Sequence, residues 1–156
     1  MAAGASRRRL LRSVVAAAIA VAFAAAAVVL ISTRQRARSG AQAADIYEAV
    51  IRYRAAGEFP RSDVFFVSIR GHDPSPGLTR RFATGSITVK PMSEAQTPER
   101  RGPPLDILGI KWISGSEVEV ESQSIFSQMH AIGMTHRLVH KGDQWIVVRA
   151  ERRWVS

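Results

Sequence analysis

From Val14 to Ile31 the chain runs eighteen residues without a polar side chain, and nine of them are alanine. The apolar character goes all round a helix instead of forming one stripe, as a lipid-facing helix requires. At about 1.5 Å per residue, such a helix covers roughly 27 Å of a hydrocarbon core about 30 Å thick. Ile19, Phe23, Leu30 and their six β-branched companions each favour insertion by about 0.3–0.6 kcal/mol, and no charge opposes them. With Ser13 and Ser32 at its ends, the run predicts a transmembrane helix over 13–32.

The pattern then changes. Ile46, Tyr47, Val50, Ile51 and Tyr53 recur at helical spacing, with Arg52 on the polar side. Ser39 is the cap candidate, Asp45 suits the first turn, and Gly57 and Pro60 end the element. A helix is predicted over about 42–56. Val64–Ile69 is β-branched and aromatic and predicts a buried strand. His72–Gly77 reads as a turn, Leu78–Ala83 as one or two helical turns, and Ile87–Lys90 as a short strand. The segment 91–104 has four prolines and is expected to be a mobile surface loop.

The last third alternates with the period of strands. Leu105–Ile113 predicts a strand with Leu108, Ile110 and Trp112 on one face. Glu117, Glu119 and Glu121 alternate with Val118 and Val120. Ile125–Ile132 fits neither period cleanly. Met134–Lys141, a Gly142-Asp143 turn and Trp145–Trp154 predict a closing hairpin. One amphipathic helix on a curled antiparallel sheet gives an α+β domain over 44–156, long enough for one core.

Charge sharpens this division. The first 43 residues hold Arg7, Arg8, Arg9, Arg12, Arg34, Arg36 and Arg38 and no acid. Residues 44–156 hold fifteen basic residues against thirteen acids, so +7 of the formal +9 flanks the apolar run. The organisation is a basic tail over 1–12, the span over 13–32, a basic linker over 33–43 and the domain. A nucleic-acid module keeps its basic patch on the folded part, so the charge argues for a bilayer partner, with anionic head groups near Arg34, Arg36 and Arg38. Four arginines before the span against three after it, with the N-terminal amine, favour a cytoplasmic N-terminus and an exported C-terminal domain. A bacterial inner membrane is the expected location. Ser6–Arg12 also resembles a twin-arginine export motif, and Ala41-Gln42-Ala43 a small-x-small cleavage site, so a cleaved signal is the competing reading.

Candidate chemistry is sparse. The chain has no cysteine, which excludes a disulfide, a thiolate metal site and a cysteine nucleophile. His136 and His140 fall on one strand face about 13 Å apart at roughly 3.3 Å per residue, too far to share a zinc ion, and read as solvated or partly packed. His72-Asp73 lacks a nucleophile at recognisable spacing, and Ser122 and Ser124 read as polar strand positions. No catalytic residue, metal or cofactor is assigned. Glu117, Glu119 and Glu121 form an acidic stripe that Arg149 and Arg153 could meet across the sheet. With His136 and His140, the stripe is the candidate polar binding surface.

Thr135–Val148, ending in Trp154-Val155-Ser156, resembles the closing hairpin of NTF2-like (SnoaL-type) domains: a strand with a basic end, a Gly or Asp turn, then Trp-x-Val. That resemblance implies a cone-shaped, cystatin-like sheet wrapped round a leading helix, with a pocket used by enzymes or binders. The whole chain resembles small membrane-anchored bacterial proteins rich in alanine and arginine. Together these readings give a single-pass protein carrying a non-catalytic binding or assembly domain, with an NTF2-like ligand binder or enzyme as the alternative.

Overall fold

The computed structural model describes residues 40–96, 102–127 and 130–155. The predicted span, its flanking arginines and residues 97–101 of the proline-rich segment lie outside the described residues. Among the described residues, no helix is long and apolar enough to cross a membrane. One compact unit begins at Gln42.

Its first element, α1, covers 40–57. Ile46, Val50, Ile51, Arg54 and Ala55 are its buried positions, spaced as one helix face. Strand β1 (Val64–Ile69) follows, then α2 (Pro76–Arg80) and β2 (Thr88–Pro91). Ser75 caps α2, its hydroxyl accepting from the Leu78 amide at 3.3 Å, and Pro76 occupies the first turn where its missing N–H is harmless. A 3-10 turn spans Met92–Gln96. Four long strands complete the fold: β3 (Pro104–Ser114), β4 (Glu117–Ser127), β5 (His130–Lys141) and β6 (Gln144–Val155).

The strands form one curled sheet in the order β2-β1-β3-β4-β5-β6, with α1 packed against it. The domain is α+β, as the pattern predicts, but the sheet is mixed and not antiparallel. β1 runs parallel to both β2 and β3, while β3 to β6 form an antiparallel meander. The long connection through α2 is what permits the parallel pairing. Its Leu78 and Phe82 are buried in the same core as α1.

The proline-rich segment is also partly a core component. Pro91 ends β2, and Pro103 and Pro104 are buried, with Pro104 opposite Phe66 at the first position of β3. Proline is tolerated at a strand's first residue, where no ladder donor is needed. The expected face of β3 is corrected too. A register shift between Ile107 and Gly109 turns Leu108 outward, so Leu105 and Ile107 fill the core, and Ile110 and Trp112 rejoin that side beyond the bulge. The ambiguous stretch 125–132 joins the ends of β4 and β5.

Two glycines fix the final hairpin. Gly142 has a φ of 59° at the first central position of the β5–β6 turn, a left-handed conformation that favours glycine. At Gly133 an added Cβ would lie 2.3 Å from the Trp154 indole nitrogen. The indole lies across this position because nothing projects from it.

Candidate functional site

The sheet's side facing α1 holds a buried polar cluster. Ile46, Val50 and Arg54 are spaced four apart, so the helix that buries the first two must bury the third. Arg54 is fully buried, and its guanidinium reaches β4, where Ser122 and Ser124 continue the face begun by Val118 and Val120. Arg54 Nη1 donates to Ser122 Oγ at 3.0 Å, and Nη2 donates to Ser124 Oγ at 2.9 Å. Glu58, one turn on, places Oε2 2.9 Å from Nη2. Burial lowers the Arg54 pKa and the Glu58 charge works against that shift, so the pair keeps a charge in a desolvated place.

His136 of β5 completes the cluster. It is fully buried, with Nε2 2.9 Å from Ser122 Oγ and the Tyr53 ring edge-on at 5.7 Å. Burial, followed by the neighbouring Arg54 charge, lowers its pKa to about 4, so the ring is neutral near pH 7. Arginine can only donate, so Ser122 Oγ accepts from Arg54, and which of Ser122 and His136 supplies the proton between them depends on the imidazole tautomer. His136 Nδ1 has no hydrogen-bond partner among the described residues.

His136, expected to be solvated or partly packed, is fully buried; Ser122 and Ser124 are the expected polar strand positions but are buried; and Tyr53, read as part of the apolar helix pattern, is 41% exposed. Arg54 escaped the sequence reading, although its four-residue spacing from Val50 carried the signal. A serine hydroxyl 2.9 Å from a histidine nitrogen is the distance of a nucleophile and its base. Both groups are closed off from solvent here, and the hydroxyl is held by Arg54.

The opposite face carries the acidic stripe. Glu119 pairs in register with Arg137, and Val120 with His136, so the stripe and the histidines face opposite sides of the sheet. The structure therefore does not unite Glu117, Glu119 and Glu121 with His136 and His140 in one surface. His140 is exposed at the end of β5, its ring 5.1 Å from Trp145.

The stripe's cations also differ from expectation. β5 lies between β4 and β6, so Arg149 and Arg153 are not its direct neighbours. Glu117 instead meets Arg137 Nε at 2.5 Å, and Glu119 meets Lys111 Nζ at 3.3 Å. The Arg137 hydrogen bond holds the Glu117 carboxyl below its ordinary range. Arg149 pairs with Glu151 on its own strand. Glu119, Glu121, Thr135, Glu151 and Arg153 line an open concavity of about 320 Å³. A larger concavity, about 410 Å³, lies beside the end of α1, lined by Arg52, Pro60, Arg61, Ser62 and Ser86. His136 lines neither.

Elsewhere, both carboxylate oxygens of Asp73 are taken by Ser93, at 3.1 Å from its amide and 2.7 Å from its hydroxyl. That carboxylate fastens the turn before α2 to the 3-10 segment and is not poised beside His72 for proton transfer. Among the described residues, no three His, Cys, Asp or Glu side chains are grouped to hold a metal ion. Comparison with known proteins finds no matching family model, no matching curated protein and no matching solved structure.

Proposed function

We propose that the chain is a single-pass protein of a bacterial inner membrane, with its C-terminal domain exported, and that this domain binds or assembles and does not catalyse. The anchor rests on the uninterrupted apolar run and the arginines on both sides of it. The non-catalytic reading rests on one observation: the polar groups between α1 and the sheet are closed off from solvent. Arg54 and His136 lie there with no exposure, bonded to Ser122 and through it to each other. The open concavities on the surface suit contacts with another molecule better than they suit a reaction shielded from water.

An NTF2-like ligand binder or enzyme is the second reading. The leading helix on a curled sheet and the Ser122–His136 contact speak for it. It requires α1 to move so that a ligand reaches those groups.

Fractionation tests the first reading. The full-length chain is expected in the membrane pellet after a high-salt wash, with its C-terminal domain digested by protease added outside the spheroplast. A soluble protein with a mature N-terminus at Ala44 would replace the anchor by the cleaved export signal.

A further inference from the structure

We propose that the end of the sheet formed by the β3–β4 and β5–β6 turns rests on the anionic bilayer surface in which the chain is anchored, an inference that rests on the anchored reading above. The two turns lie side by side, since the His140 amide donates to the Ser116 carbonyl at 2.8 Å. The first half of α1 is at the same end, where Asp45, Glu48 and Ala49 share a groove with Asp143, Gln144 and Trp145.

This end exposes large apolar and basic side chains together. Trp112 is 45% exposed, Ile113 44% and Ile146 42%. Lys111 and Lys141 are exposed beside them. Tryptophan and lysine are the residues that favour the boundary between head groups and water. Lys111 is paired with Glu119, Asp143 is exposed in the β5–β6 turn, and the other acids at this end are held by arginines. Asp45 meets Arg81 at 2.5 Å, Glu48 meets Arg52 at 2.7 Å, and Glu117 meets Arg137 at 2.5 Å.

Exposed apolar side chains alone do not select this end, because Ile125 and Phe126 are exposed at the other. The tether selects it. Only residues 33–39 separate the predicted span from the first described residue of α1. Fully extended, they reach about 25 Å. Arg34, Arg36 and Arg38 lie within them, and anionic head groups attract basic side chains next to a span. The end that carries the start of α1 therefore stays within about 25 Å of the bilayer, close enough for its tryptophan and lysines to find there the surface they suit.

The absence of cysteine makes the test direct. Full-length Ile113→Cys and Ile125→Cys are each labelled with a nitroxide and reconstituted into phosphatidylcholine vesicles containing phosphatidylglycerol. Both sites are exposed, so neither substitution removes a core side chain. The label at 113 is expected to be relaxed more by oxygen than by a water-soluble nickel chelate, and the label at 125 the reverse. Equal accessibility to the nickel chelate at both sites, in chains that float with the vesicles, would overturn the docking and leave the anchor standing. Chains that do not float with the vesicles would overturn the anchored reading and the docking together.

Discussion

The two faces of the central strands differ in how their polar groups are held. On the inner face, Arg54, Ser122, Ser124 and His136 are buried and each contacts another member of the cluster. On the outer face, Glu117 and Glu119 are half-buried and paired with Arg137 and Lys111, and Glu121 is exposed. The residues alternate along the same strand, β4, yet their energetic roles diverge. A polar group buried without its partner loses both water and hydrogen bond, whereas an exposed one recovers water. Polarity alone does not reveal importance. The face does.

The comparison breaks most visibly at Arg54. Arg54→Ala strips the guanidinium from Ser122, Ser124 and Glu58 and leaves a void beneath α1. The expected loss is about 3–5 kcal/mol in unfolding free energy, read from urea melts. Arg54→Met fills the space and is expected to lose less.

His136 comes next. Its pKa is about 4 in the folded chain against an ordinary 6.5. A depressed pKa means the folded state disfavours the proton. The associated stability is fully present above about pH 6.5 and is lost as the pH falls toward 4, by roughly 3 kcal/mol in all. In His136→Gln that part of the pH dependence should vanish, so melts of the two proteins at pH 7 and pH 4.5 check it.

A smaller effect is expected where the outer face does have close packing. Gly133→Ala must displace the Trp154 indole, which is 44% exposed and free to swing aside. The loss should be about 1 kcal/mol, with a red shift of Trp154 emission. Least of all, Glu121→Gln should change stability by less than about 0.5 kcal/mol, because the side chain is exposed. A loss at Glu121 comparable to that at Arg54 would end the distinction between the faces.

Much of the fold was legible because local chemistry and tertiary packing agree in it. Val64–Ile69, the Gly142-Asp143 turn and the alternation around Val118 and Val120 all form as their patterns indicate. Sheet direction was not legible, because the parallel pairing of β1 with β3 depends on where a distant connection returns the chain. Leu108 misled because a single extra residue at a bulge reverses the facing of everything around it. The inner cluster was hidden for a different reason. Arg54, Ser122 and His136 are far apart in sequence, and each resembles a surface residue when read alone. The local sign was positional: Arg54 falls where the helix pattern called for an apolar side chain, and Ser122 and Ser124 continue the alternation of Val118 and Val120.

The most direct test of the buried cluster is the nitrogen spectrum of His136 in the folded protein across pH. Long-range proton–nitrogen correlations should show one neutral tautomer, unchanged from pH 7.5 down to about 5. A ring that titrates near 6.5, or that exchanges between tautomers at pH 7, would contradict the solvent-excluded interface on which the non-catalytic reading stands.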